Sequence, residues 1–154
     1  MKRSTAAALQ IFTVLLGLGT LALLLIEPHF EGRNTRATAF EVYFHDPFLA
    51  YVYVGSIPYF VALHRAFRLL GDAGRSGRFS PFTVDALRAI KRCALTLLVF
   101  VVGAVGFIVA LGDDEDRPAG FMMILVVASA AGAVAFTAAR LARKLQGTLP
   151  TSRV

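Results

Sequence analysis

The residues of this chain best suited to chemistry lie between Gly71 and Arg92, in the run GDAGRSGRFSPFTVDALRAIKR. At 100° per residue Phe82, Ala86, Ala89, Ile90 and Cys93 fall on one face of a helix, while Asp85, Arg88, Lys91 and Arg92 fall on the other. Such a face binds anions. They could be carboxylates of a protein partner or phosphates of anionic lipid, each basic residue near a charged membrane surface contributing about 1 kcal/mol. Arg75 and Arg78 extend the cationic set backwards, into a segment where Gly71, Gly74, Ser76 and Gly77 predict a flexible turn. Ser80 followed by Pro81 predicts a helix start, a side-chain cap before the residue whose missing N–H costs nothing at the first position.

A second set is Glu27, His29, Glu31, Glu41, His45 and Asp46, oxygen and imidazole groups of the kind that ligate divalent cations. Glu41 and His45 share a face if their segment is helical. No metal motif spaces these residues, and an acidic loop is also the ordinary product of membrane topology. The segment is therefore read as a solvated loop, with no metal and no cofactor assigned. The single cysteine, Cys93, excludes an intramolecular disulfide and any CxxC metal motif, and no histidine stands near it in sequence, so it reads as a helix-interface residue. His64 reads as a structural residue at the end of a span. The glycines of the central run lack the G-x-x-x-x-G-K-[ST] pattern of a phosphate loop. No catalytic constellation remains, and the chain is not expected to be an enzyme.

The elements that hold these residues follow from composition. Hydrophobic residues make up 56% of the chain and charged residues 17%, against about 25% charged in soluble domains. Lipid is the expected solvent. The 154 residues leave room for four spans of about 20 residues and no separate soluble domain. The predicted fold is an all-α, integral membrane four-helix bundle, one membrane domain over 1–154, with spans at 6–26, 47–63, 93–111 and 119–139, an outer loop at 27–46 and an amphipathic elbow at 71–92. The first apolar run, Ala6 to Ile26, carries no charge; it outlasts the apolar core of about 7 to 15 residues of a cleaved signal peptide and lacks its cleavage site. It reads as a retained span. Asp46-Pro47 starts the second, in which Pro58 predicts a kink near Gly55–Pro58. Tyr43, Phe44, Phe48, Tyr51 and Tyr53 gather at its outer boundary like an aromatic belt.

Sidedness follows from charge. The net charge is +6, and of 16 Lys and Arg, thirteen fall in the N-terminus, the segment from Arg65 to Arg92 and the C-terminal end. By the positive-inside rule both termini and the elbow are cytoplasmic, in the plasma membrane. The cations flank spans rather than line a soluble face, so direct nucleic-acid binding is not expected.

Small residues predict how the spans meet, because lipid removes the hydrophobic drive between helices. Ala131, Ala135 and Ala139 recur every four residues, with Ala128 and Gly132 beside them, and Gly103 and Gly106 form a groove on the third span. They suit packing within the bundle or a homo-oligomer face. Gln10, Thr13, Thr20, Ser56, Thr96, Ser129 and Thr137 are expected to hydrogen-bond between helices or back onto their own. No span has an ionisable residue at its middle, which speaks against a pump or ion-coupled transporter.

The run RLLGDAGRSGRFSPFTVDALRAIKRCAL resembles the pattern of a span end, a short polar turn, F-S and then V-x-x-L-x-x-I-x-x-C-A. That pattern belongs to the uncharacterised bacterial four-span membrane family catalogued as domain of unknown function 2975. The matching positions are Phe79, Ser80, Val84, Leu87, Ile90, Cys93 and Ala94. The resemblance implies an integral membrane protein encoded near a small helix-turn-helix regulator, hence a membrane-side partner or sequestering surface. Two functional expectations follow: a non-enzymatic accessory or regulatory protein presenting its basic helix to a cytoplasmic protein or anionic lipid, and alternatively a small oligomeric pore or transporter subunit.

Overall fold

The computed structural model describes residues 3–30, 47–76, 81–111 and 117–147. They form four helices: α1 (Arg3–Phe30), α2 (Pro47–Ser76), α3 (Pro81–Leu111) and α4 (Arg117–Gln146). There is no strand among the described residues, and the chain is an all-α bundle. Three stretches, Arg3–Ile26, Phe82–Ala110 and Gly120–Gln146, are long and apolar enough to cross a membrane, and α2 is the fourth helix.

Each helix packs chiefly on its neighbours in the chain, α1 on α2, α2 on α3 and α3 on α4. The order is up and down. Ala6 meets Gly74 while the Leu24 carbonyl meets Tyr53, and Phe48 meets Phe107 while Arg68 meets Phe82. The starts of α1 and α3 therefore share one end with the last turns of α2 and α4. That end collects Arg3, Arg65, Arg68, Arg75, Arg88, Lys91, Arg92, Arg140, Arg143 and Lys144.

The buried apolar cluster lies at this basic end, not in the apolar middle. Val84, Leu87 and Ile90 of α3 pack with Ala138, Ala142 and Leu145 of α4, and Ala66 and Leu69 of α2 lean against them. In contrast, none of the most apolar stretch of α1 is buried.

The α4 side of this seam runs Ala131, Ala135, Ala138, Ala142, Leu145, all buried. The steps alternate four and three. Their mean of 3.5 holds a seam in place, while a strict four-residue repeat drifts about 40° per step around a 3.6-residue helix. Ala139 and Ala128 are accordingly half-buried at the edge.

Three helices run farther than the sequence suggests, α4 reaching Gln146 beyond the expected 139. α2 continues through Gly71 and Gly74 to Ser76, where a turn is expected from sequence; residues 77–80 lie outside the described residues. The two glycines serve contact instead. A Cβ on Gly74 would stand 2.6 Å from the Ala6 Cβ, and one on Gly71 would stand 2.8 Å from Gln10 Nε2. α1 in turn runs past Ile26 to Phe30, with Pro28 inside it. Proline has no N–H for the carbonyl one turn before, which is Leu24, and the Tyr53 hydroxyl donates to that carbonyl at 2.7 Å. A side chain from α2 supplies what the α1 backbone lacks. α2 itself is helical through Pro58.

Candidate functional site

Asp85, Arg88, Lys91 and Arg92 all stand exposed on α3. Opposite them Thr83, Val84, Ala86, Leu87, Ile90 and Ala94 are buried, so the amphipathic face is wider than its sequence projection, and Phe82, Ala89 and Cys93 lie half-buried at its margin. Pro81 opens the helix. No break separates the basic segment from the apolar part of α3, which is one helix of 31 residues. Its apolar face is occupied by α4, and what it offers outward is charge.

Within the patch Arg88 and Asp85 pair at 3.3 Å, with side chains half exposed or more. A pair so open to solvent stabilises by at most about 1 kcal/mol, and it leaves Lys91 and Arg92 unopposed on their own helix face. Arg75 is exposed in the last turn of α2; Arg78 and Ser80 lie outside the described residues. Two cation–π contacts were not foreseen from sequence. The Arg68 guanidinium sits 5.5 Å from the Phe82 ring, tying α2 to the first turn of α3, and Arg140 lies 4.4 Å from the Phe136 ring one turn earlier on α4. The second has a legible signal in its i, i+4 spacing; the first depends on which helices meet.

Polar groups deeper in the bundle are engaged as linkers. Gln10 Nε2 donates to the Phe67 carbonyl at 3.1 Å. Thr20 donates to the Leu16 carbonyl at 2.9 Å and so accepts from the Tyr59 hydroxyl, also at 2.9 Å. Tyr51 donates to the Phe100 carbonyl at 2.8 Å, and its ring lies 5.2 Å from that of Phe100 and 5.0 Å from that of Phe107. Phe48, Tyr51 and Tyr53 thus reach neighbouring helices; Tyr43 and Phe44 lie outside the described residues. Thr13, Thr96 and Thr137 bond back to the carbonyls of Leu9, Arg92 and Ala133, and Ser56 to that of Tyr53. Ser129 is exposed.

Glycine explains how α2 and α3 come this close. Tyr51 occupies the space a Cβ would need on Gly103, and a Cβ on Gly55 would lie 3.1 Å from Phe100. Gly106 and Gly132 face open space. Gly120, which the sequence did not single out, admits Ile108 at 2.8 Å from its would-be Cβ.

Among the described residues no three His, Cys, Asp or Glu side chains come together as metal ligands. The acidic loop residues Glu31, Glu41, His45 and Asp46 lie outside the described residues, and the side chains of Glu27 and His29 do as well. Among the described residues the surface has open grooves, one of about 340 Å³ against α1 and another of about 330 Å³ beside Gly103, Gly106, Phe107 and Ala110.

The residues that carried the family resemblance are mostly seam residues. Val84, Leu87, Ile90 and Ala94 are buried and Cys93 half-buried, while Phe79 and Ser80 fall outside the described residues. Their spacing of three and four is what the α3 to α4 contact requires.

Comparison with known proteins agrees with that resemblance. The family model described as "Protein of unknown function (DUF2975)" matches residues 31–147, which takes in α2, α3 and α4. The "Uncharacterized membrane protein YoaS" of Bacillus subtilis (strain 168) is 30% identical over 147 residues, 95% of this chain and 92% of that protein. No solved structure matches. An apolar helical chain with this seam motif, matched by the family model over most of its length, belongs to the DUF2975 family of membrane proteins of unknown function.

Proposed function

We propose that this protein is a non-catalytic accessory or regulatory protein of the plasma membrane. It crosses four times with both termini inside, and its basic end docks an acidic surface of a cytoplasmic protein through Arg88, Lys91 and Arg92. The observation that carries this reading is the placement of the buried cluster around Leu87 at the charged end. A packed core there makes the ends of α2, α3 and α4 a firm stub. On that stub Arg88, Lys91 and Arg92 stand exposed along one face of α3.

Because α4 already covers the apolar face of the segment, recognition rests on charge, and the partner must be acidic. A small helix-turn-helix regulator is the kind of partner the family resemblance suggests, and to dock here it needs an acidic face. The pore reading needs a polar path through the helices, and the interhelical polar groups described above are engaged with backbone carbonyls or with each other.

Photo-crosslinkers introduced at Asp85 and Lys91 in intact cells test the docking. Capture of a cytoplasmic protein that is lost on R88E/K91E/R92E, with the protein still in the membrane, is the expected result; capture unaffected by the reversal would overturn it. Sidedness has its own test. In a Cys93→Ser background, a cysteine placed at Arg75 or Arg88 should resist an impermeant maleimide until the cells are permeabilised, and labelling from outside would invert the orientation.

A further inference from the structure

We infer that the groove between α1 and α2 is a binding site for an anionic phospholipid, with its acyl chain along α1 and its phosphate between Arg3 and Arg75. The groove of about 340 Å³ is lined by Ala7, Gln10, Ile11, Val14, Leu15 and Phe67, almost wholly apolar, and it opens to the surroundings of the bundle. Gln10 is no ligand for a headgroup here, since its amide nitrogen is held by the Phe67 carbonyl at 3.1 Å. What remains is a greasy channel about as long as two turns of α1.

Charge marks its mouth. Arg3 precedes Ala7, Gln10 and Val14 by four, seven and eleven residues, which places it on the same strip of α1. Across from it, the close approach of Ala6 to Gly74 and of Gln10 to Gly71 fixes the level of α2. Arg75, the next residue after Gly74, therefore stands at the level of the first turn of α1. Both arginines are exposed. No carboxylate lines the groove. A guanidinium from each helix above an apolar channel complements one kind of molecule, a negative phosphate attached to a hydrocarbon chain. A free phosphate would have no use for the channel, and a neutral lipid none for the second arginine.

The site is separate from the α3 patch, and its test does not depend on which end of the bundle faces the cytoplasm. The full chain is reconstituted in nanodiscs of phosphatidylcholine mixed with phosphatidylglycerol, released into the gas phase, and its retained lipids are weighed by native mass spectrometry. Phosphatidylglycerol should be enriched over phosphatidylcholine by about tenfold or more, the expectation for two basic residues at an anionic headgroup. Arg3→Gln with Arg75→Gln should abolish the preference while R88E/K91E/R92E keeps it. Ile11→Trp, at a position 61% exposed, should fill the channel and reduce retention of both lipids. Equal retention of the two lipids by the native chain, or a preference that survives the paired glutamines, would overturn the site. Inorganic phosphate added in excess should not displace the lipid; displacement would reduce the site to a simple anion patch and overturn it equally.

Discussion

The α3–α4 pair and the α1–α2 pair are both antiparallel, both rich in alanine and glycine, and held by different forces. Between α3 and α4 the contact is a dry stripe of Val84, Leu87, Ile90, Ala138, Ala142 and Leu145 at the basic end. Between α1 and α2 it is a series of polar pins, Gln10 to the Phe67 carbonyl, Tyr59 to Thr20 and Tyr53 to the Leu24 carbonyl, with Gly71 and Gly74 allowing close approach. The difference teaches that two seams meeting the same turns of α2 can be held in different ways, one by apolar side chains that fill one another's voids, the other by hydrogen bonds and by glycines that let the backbones approach.

The comparison can be broken most forcefully at Leu87. Leu87→Ala is expected to cost about 2 to 4 kcal/mol, since the side chain is only 5% exposed. Leu23→Ala, at 67% exposure in α1, should shift the unfolding midpoint in detergent hardly at all, so equal losses would erase the distinction drawn between the seams. Next in size is Gly74→Val. The added carbons must push against Ala6, at a cost of about 1 to 3 kcal/mol, and crosslinking between cysteines on α1 and α2 should weaken at this end first.

The pins differ among themselves. Tyr53→Phe should cost about 1 to 3 kcal/mol by leaving the Leu24 carbonyl without the donor that Pro28 denies it. Pro28→Ala restores a backbone N–H, so in that background the same substitution should cost much less. Tyr51→Phe removes a donor to the Phe100 carbonyl, which has the Ala104 N–H as its helical partner, and should cost only about 0.6 kcal/mol. Equal effects at the two tyrosines would dismiss the role given to Pro28. Smallest is Asp85→Asn, which breaks an exposed ion pair and should move the midpoint by less than about 0.5 kcal/mol; a larger loss would mean the charged face does structural work.

Much of this was legible in the chain. The amphipathic period from Phe82 to Cys93 separates buried from exposed residues almost as drawn, because a helix that packs on one side must sort its residues by angle. Gln10, Thr13, Thr20, Ser56, Thr96 and Thr137 bond between helices or back onto their own as expected, since in lipid they have few other choices. The α4 seam was legible only in part: Ala131 and Ala135 stood out, but Ala138, Ala142 and Leu145 needed the alternating step that two packed helices impose. The roles of Gly71 and Gly74 were not legible. In sequence a glycine cluster beside Ser76 reads as a turn, and only Ala6 and Gln10 arriving from α1 make it a contact surface.

The sequence by itself determined the solvent, the helices and the collection of positive charge at alternate ends, because these depend on composition and on periods within single segments. The tertiary structure alone decided which residues are pins and which are packing. Tyr53 answering Pro28, Arg68 over Phe82 and the contact of Gly71 and Gly74 with α1 all require a neighbour at a particular level. That level is set by contacts between segments far apart in the chain, and no local pattern encodes it.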